Sequence, residues 1–174
     1  MSDIADGAAV SHGTVYTYFP NREAVLAAVV HELADEVVVQ LRVGDDTGDD
    51  PQERIAAANR NYLAAYERHA AMIGVVEQRA ASDAHYRNVL DSLRAAFVDR
   101  AVRGLRRLQR DGFADAALDP RIAGEALCGM VESYARRQSQ SGAPLSDPVT
   151  LDTLNRLWAQ AIGLAAPAGN GAHP

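Results

Sequence analysis

The sequence predicts an all-α protein with two domains. Apolar residues recur at intervals of three and four through most of the 174 residues, which is the period of an amphipathic helix. Alternation of β-branched and polar residues, the usual signal of a strand, is nowhere sustained over about six residues. Breaks rich in Gly, Pro and Asp separate the periodic stretches. The composition, with 48% hydrophobic and 23% charged residues, is typical of a globular protein.

The first domain is predicted to contain two short helices and a long one. The short helices cover residues 3–8 and 11–19, and the long helix follows Asn21, a good cap residue, with Glu23 in its first turn. Apolar residues then continue at helical spacing to about Gly44: Val25, Leu26, Val29, Val30, Leu33, Val37 and Leu41. The acidic segment 45–50 is predicted to be a hinge, which gives domains of residues 1–44 and 45–174.

The second domain is predicted to be a helical bundle with helices at 52–68, 70–81, 83–110, 120–139 and 149–165. Asp83 and Asp119 stand at two of the helix starts, where a carboxylate can accept bonds from free backbone N–H groups. Apolar stripes on the third and fifth of these helices predict the core: Tyr86, Leu90, Leu93, Phe97, Ala101, Leu105 and Leu108, and then Leu151, Leu154, Trp158 and Ile162.

The two short N-terminal helices have the spacing of a helix-turn-helix. Their inward-facing residues are predicted to be Ile4, Ala5, Ala8, Val10, Val15 and Phe19. Small and polar residues would then cover the outer surface of the second helix and face a DNA groove: His12, Gly13, Thr14, Tyr16, Thr17 and Tyr18.

Residues 3–26 closely resemble the DNA-binding signature of the TetR family of bacterial transcriptional repressors. The matched residues form one ungapped block: Ile4, Ala5, Ala8, Val10, Ser11, Gly13, Thr14, Val15, Tyr16, Tyr18, Phe19, Pro20, Arg22, Glu23, Ala24 and Leu26. The resemblance implies a homodimer with a ligand pocket in its C-terminal domain. It also implies that operator DNA is released when a small molecule binds.

The resemblance assigns roles to individual residues. Ser11 would cap the recognition helix, and Tyr18 and Arg22 would bond phosphates of the DNA backbone. The full set expected at the DNA is Ser11, His12, Gly13, Thr14, Tyr16, Thr17, Tyr18 and Arg22. His12 stands where the family frequently has Lys or Arg.

One departure from the family concerns the start of the chain. Family members carry a further helix before this segment, and Met1 stands where an aliphatic residue such as valine is common. We therefore interpret the chain as beginning within the DNA-binding domain, for example at an internal GTG codon read as a start. Residues 1–43 contain two arginines and six carboxylates, a net charge of −4. Binding of DNA phosphates by this form is expected to be weak.

The long helix carries a concentration of positive charge, six arginines against one carboxylate between Arg94 and Arg110. Four of them, Arg100, Arg103, Arg107 and Arg110, are spaced as one exposed stripe. The stripe is interpreted as a solvated face that pairs with neighbouring acids, with an anion site for nucleic acid or coenzyme A phosphates as the alternative.

The effector pocket and the dimer interface are predicted on the helices of the second domain. The pocket candidates are Asn59, Tyr62, Tyr66, Met72, Val76, Arg79, Phe97, Met130 and Tyr134. This lining predicts an elongated, mainly apolar effector, and Arg79 suggests a carboxylate such as a fatty-acyl group. Apolar stripes on the last two helices predict a four-helix dimer interface through Leu127, Val131, Leu154, Leu157 and Trp158.

The sequence thus favours a ligand-responsive transcriptional regulator, a repressor that binds operator DNA as a homodimer. The alternative is a homodimeric small-molecule-binding module that does not bind DNA in this form. An enzyme is not predicted, because Gly-rich phosphate loops, nucleophile elbows and His-Glu metal motifs are missing from the sequence. No cofactor or metal is expected, since the pair His31 and Asp35 has no third ligand nearby. The longest apolar run in the first half is seven residues, so no membrane association is predicted and a cytoplasmic location is expected.

Overall fold

The fold is all-α, as predicted, with seven helices in the part of the chain that the structure describes. That structure, a computed structural model, describes residues 1–43 and 50–164. The helices are α1 (Ser2–Gly7), α2 (His12–Tyr18), α3 (Arg22–Val43), α4 (Pro51–Ala80), α5 (Ala84–Arg110), α6 (Pro120–Ser141) and α7 (Pro148–Ala161). The chain divides into two compact units, Met1–Glu36 and Val37–Pro174, so α3 begins in the first unit and ends in the second. Residues 44–49, which include most of the predicted hinge, lie outside the described residues.

The first unit contains α1, α2 and most of α3. Ala5 and Val15 are buried, and α1 packs against α2. The prediction that Ala8 and Val10 face inward is wrong. Both lie in the connection between α1 and α2, away from the packed helix faces, and Val10 is 42% exposed. The connection passes through Ala9, whose φ of 54° is in the left-handed region.

Each helix of the second unit begins at an aspartate that caps it. The Asp83 side chain accepts a hydrogen bond from the backbone N–H of His85, and Asp119 accepts from Arg121 and Ile122, which confirms the two predicted caps. Asp50 and Asp147 cap α4 and α7 in the same way. In α4, α6 and α7 a proline follows the cap, and it suits the first helical turn because its missing N–H would have no partner there.

Helix α4 is one continuous helix of 30 residues rather than the two helices predicted at 52–68 and 70–81. No proline interrupts it after Pro51, and Gly74 is its only glycine, so no residue forces a break at His69. Its apolar face also continues across the predicted break, because Tyr66, Val76 and Ala80 are all buried.

The core of the second unit lies among α4, α5, α6 and α7. Helix α5 packs against α4 and α6, and α7 packs against α4. The largest fully buried side chains are Leu63, Leu145, Ile162, Val131 and Cys128. Tyr62 stacks on Phe97 with ring centroids 4.1 Å apart, an arrangement that joins α4 to α5. Among the described helices, none is both long and apolar enough to cross a membrane.

Candidate DNA-binding helix and effector cavity

Helix α2 is fixed at its start by Ser11. The Ser11 Oγ accepts a hydrogen bond from the Thr14 backbone N–H at 3.1 Å and lies 2.8 Å from the Thr14 Oγ1. The Thr17 hydroxyl donates to the Gly13 carbonyl at 2.9 Å. Ser11 therefore caps α2 as the sequence predicts, and local hydrogen bonds hold both threonine side chains in defined positions.

The outer surface of α2 is polar and exposed. His12, Thr14 and Thr17 are exposed, Tyr16 is 53% exposed and Tyr18 is 74% exposed, while Val15 beneath them is buried. A Cβ atom at Gly13 would meet only the Ser11 Oγ, at 3.8 Å, so the backbone there is open to a close approach. The structure brings all the predicted groove-facing residues together on this one short helix.

Arg22 is the first residue of α3, and its guanidinium pairs with a carboxylate. The Nη2 atom lies 3.2 Å from the Asp3 Oδ2, and both side chains are largely exposed, at 66% and 85%. An exposed ion pair of this kind contributes little to stability, so a phosphate can compete for the guanidinium. Asp3 thus pairs with the guanidinium that the family resemblance would assign to a DNA phosphate.

The second unit contains a half-enclosed cavity of about 80 Å³ among α4, α5 and α7. Most of its surface is apolar and comes from Ile55, Phe97, Leu105, Leu108, Trp158 and Ile162. Its polar residues are Arg54, Asn59 and Arg100, and Trp158 also contributes to the wall. The Asn59 amide donates to the Asn155 side chain at 2.9 Å, which fixes its orientation.

Two of the nine predicted pocket residues, Asn59 and Phe97, line this cavity. Tyr62 and Tyr66 lie in or beside the core, where burial raises the pKa of Tyr66 to about 12 and that of Tyr62 further. Met130 and Tyr134 pack against the core from α6, and the Tyr134 hydroxyl is 2.8 Å from the Thr150 Oγ1. The other three predicted residues, Met72, Val76 and Arg79, belong to the last three turns of α4. Val76 is buried, Met72 is half-buried and Arg79 is exposed.

The sequence did not identify Arg54, Arg100 or Trp158 as cavity residues. Arg100 was predicted in an exposed stripe, but only 8% of it is exposed. Its position on α5 is three residues after Phe97 and between the cavity residues Phe97 and Ala101, so it shares their side of the helix. Arg103, Arg107 and Arg110 are exposed as predicted, and Arg107 pairs with Asp111 at 3.7 Å.

The residues predicted at the dimer interface lie mostly inside the single chain. Leu127, Val131, Leu154 and Trp158 are at most 8% exposed and belong to the core of the second unit. Leu157 is 43% exposed and is the only one of the five with substantial surface. Among the described residues, no group of three His, Cys, Asp or Glu side chains could hold a metal ion.

Comparison with known proteins finds a sequence-family match in the first unit and similar folds over most of the chain. Residues 1–29 match the sequence model of the bacterial regulatory proteins of the tetR family. Three similar solved structures are FadR from Bacillus subtilis in complex with stearoyl-CoA, a TetR transcription regulator from Haloarcula marismortui ATCC 43049, and the reduced form of NemR from E. coli. None of the curated proteins matches the chain.

The likeness to the solved structures extends over almost the whole chain. FadR is 18% identical, with a TM-score of 0.72, over 92% of this chain and 87% of that chain. The Haloarcula regulator is 13% identical, with a TM-score of 0.75, over 92% and 83%. NemR is 15% identical, with a TM-score of 0.70, over 97% and 87%. At these identities the likeness establishes a shared fold.

The capped and exposed α2, joined to α1 by a tight turn, defines a helix-turn-helix, the class of element that proteins place in the major groove of DNA. Residues 1–29, which contain this helix-turn-helix, match the sequence model of the tetR family of bacterial regulatory proteins. The rest of the chain has the fold of TetR-family regulators, so the resemblance read from residues 3–26 is confirmed.

Proposed function

We propose that the chain is a transcriptional repressor that binds operator DNA as a homodimer and is released by a small, mainly apolar effector. The observation that carries this proposal is the tetR-family match over residues 1–29. The matched segment includes α2, whose outer surface is polar and exposed. A separate helical unit with an apolar cavity supplies a place for the effector.

Individual residues of the first unit have different roles in this proposal. Tyr18 and Arg22 bond phosphates, which positions the protein without reading sequence. Ser11 holds the start of α2 in place. The residues that reach base edges or the adjacent backbone are His12, Thr14, Tyr16 and Thr17, with Gly13 allowing close approach.

The DNA-binding roles can be tested on a duplex selected from a random-sequence pool. Tyr18→Phe should weaken binding about two- to tenfold on preferred and non-preferred duplexes alike, because it removes one hydrogen bond to the backbone. Thr14→Ala should instead change which bases are preferred. Tyr134→Phe removes the same hydroxyl group from the second unit and serves as the control. An equal loss for Tyr134→Phe would contradict the phosphate role of Tyr18.

The effector role of the second unit follows from the cavity among α4, α5 and α7. A ligand that binds the folded state raises the melting temperature by mass action. We expect stabilisation by apolar or acidic compounds in a panel of acyl chains, sterols and cationic drugs. Stabilisation by the cationic drugs alone would contradict a mainly apolar or acidic effector.

We place the dimer contact on the outer surfaces of α6 and α7, in two-fold symmetry. Ile122 on α6 is 70% exposed, and Val149 and Leu157 on α7 are 75% and 43% exposed. Val149, Thr153, Leu157 and Ala161 are all exposed and follow one another at intervals of four residues, so they form a stripe along α7. These residues replace the buried ones of the sequence prediction as the contact surface.

Leu157→Asp should therefore dissociate the dimer, as measured by sedimentation at micromolar concentration. Val75→Asp is the matched control, because Val75 on α4 is similarly exposed, at 39%, and lies outside the proposed contact. A wild-type chain that sediments as a monomer would contradict the dimer, and an equal effect of both substitutions would contradict this contact surface.

A binding module that does not bind DNA is the second candidate. Two observations favour it: the net charge of −4 over residues 1–43 and the Asp3 carboxylate that pairs with Arg22. The random-pool selection separates the two candidates. Enrichment of a sequence favours the repressor, and a failure to enrich any sequence while the cavity still binds ligands favours the module.

A further inference from the structure

We propose that the cavity takes an amphipathic anion, whose apolar end lies against Phe97, Leu105 and Leu108 and whose anionic head is bound by Arg54 and Arg100. This inference rests on the proposed function, in which the cavity is the effector site. It replaces Arg79, which does not line the cavity, as the residue that recognises an acidic group.

Arg100 places a fixed positive charge in the wall of the cavity. An arginine guanidinium stays protonated at any ordinary pH and presents planar donors that suit carboxylate and phosphate oxygens. Arg100 lines the cavity while only 8% of the residue is exposed, so its charge lies where ligand atoms would be poorly screened by water. Arg54 adds a second guanidinium from the first turn of α4.

One residue of the cavity wall also has an unsatisfied donor beneath the cavity surface. Trp158 lines the cavity and is 8% exposed, and its buried Nε1 has no hydrogen-bond partner among the described residues. An indole nitrogen is a donor only, so an oxygen acceptor is the group it requires. An anionic oxygen is an acceptor that suits both an indole N–H and a guanidinium group, once the bound ligand brings it within reach of the buried Nε1.

The cavity is too small to enclose a whole amphipathic ligand. An engineered protein cavity of roughly 150 Å³ holds one benzene molecule. A volume of about 80 Å³ therefore admits only the end of an apolar group in the state that the structure describes. The head must then lie toward the open side, or α4, α5 and α7 must separate as the ligand enters. In either arrangement the ligand contacts the helices that form the wall.

Negative charges near the cavity oppose this arrangement only weakly. Asp50 caps α4 by accepting from the Gln52 N–H, and Glu53 pairs with Arg60 at 3.0 Å. Both carboxylates are thus engaged at the start of α4, where the helix dipole also favours an anion. On the α5 side, Arg103 is exposed three residues beyond Arg100 and adds positive charge.

The test compares four ligands that share one eight-carbon chain: octanoate, octyl phosphate, 1-octanol and octylammonium. Trp158 is the only tryptophan, so its fluorescence reports directly on occupation of the cavity. We expect octanoate or octyl phosphate to bind at least tenfold more tightly than 1-octanol, and octylammonium to bind most weakly. The comparison of the first two compounds distinguishes a carboxylate head from a phosphate head.

Two arginine variants identify the residue responsible. Arg100→Met keeps an unbranched side chain without charge, and it should reduce the preference for the anion over 1-octanol to less than about threefold. Arg106→Gln, an exposed position on the same helix that does not line the cavity, should leave that preference unchanged. Circular dichroism checks that both variants are folded. If Arg100→Met is unfolded, Arg54→Gln supplies the same comparison.

The outcomes separate this inference from the proposed function. Loss of the anion preference in the Arg100 variant, or in its Arg54 substitute, supports the inference. Equal binding of octanoate and 1-octanol, or tighter binding of octylammonium, would overturn it and leave the cavity as an effector site. Binding of none of the four compounds would overturn both the inference and the assignment of the cavity.

Discussion

Replacing Ala9 by glycine should stabilise the helix-turn-helix. Ala9 follows the end of α1 with a φ of 54°, a conformation that glycine adopts far more readily than alanine. The backbone there forms a Schellman motif, in which the Val10 N–H donates to the Ala5 carbonyl at 3.0 Å and the Ala9 N–H to Asp6 at 3.2 Å. The residue in the left-handed position of this motif is usually glycine.

The magnitude follows from two opposing contributions. The left-handed conformation costs an L-residue roughly 1–2 kcal/mol. The greater freedom of glycine in the unfolded chain costs about 0.4–1 kcal/mol. Ala9→Gly should therefore gain about 0.5–1 kcal/mol. Ala8→Gly removes the same exposed methyl group one residue earlier, where φ is −90°, and should instead lose about 0.5–1 kcal/mol.

Hydrogen exchange measures the effect locally. The Val15 N–H donates to the Ser11 carbonyl and the Phe19 N–H to the Val15 carbonyl, so both amides report on opening of α2. The two variants should differ by about 1–2 kcal/mol in opening free energy, which is a factor of about 5–30 in exchange rate. Slower exchange in the Ala8 variant than in the Ala9 variant would refute this account of the turn.

Three further predictions concern charge, thiol chemistry and packing. Asp3→Asn removes the carboxylate that pairs with Arg22, so affinity for the selected DNA should rise about two- to fivefold in a low-salt titration. An unchanged affinity would show that the ion pair does not compete with phosphate. Burial raises the pKa of the Cys128 thiol to about 12 from 9.0, so at pH 8 a thiol reagent should label it only after unfolding. The free energy of unfolding should also fall as the pH rises above 9, because the unfolded thiol loses its proton first. Rapid labelling of the folded protein would contradict this. Gly124→Val should lower the unfolding free energy by about 1–3 kcal/mol in a urea titration, because a Cβ added at this position would lie only 3.0 Å from the Val102 side chain. An unchanged midpoint would mean that α5 and α6 are not packed this closely.

Helix starts could be predicted from the sequence because a cap acts within a few residues. Ser11, Asp83 and Asp119 each accept a hydrogen bond from a backbone N–H two or three positions ahead, and residue type and spacing alone indicate that geometry. The surface of α2 was predictable for a related reason. Val15 fixes which side of the short helix is buried, and the neighbouring polar residues then face outward.

The cavity could not be predicted from the sequence because its wall depends on how distant helices pack. Arg100 and Arg103 have the same residue type on the same helix, yet Arg100 lines the cavity and Arg103 is exposed. The two side chains point about 60° apart around the α5 axis. Which of them meets the cavity depends on where α4 and α7 pack against α5. Trp158 was assigned to a dimer interface for the same reason, since an apolar stripe does not specify which neighbour covers it.

Selection of bound sequences from a random pool of DNA duplexes tests whether this protein is a ligand-released repressor. We expect enrichment of a two-fold symmetric sequence, because a dimer presents two copies of α2. We also expect the enriched duplex to be released when octanoate or octyl phosphate is added at a concentration that changes the Trp158 fluorescence. A chain that occupies its cavity with these ligands but enriches no sequence, or that keeps its DNA at saturating ligand, would contradict the claim that this protein is a ligand-released repressor.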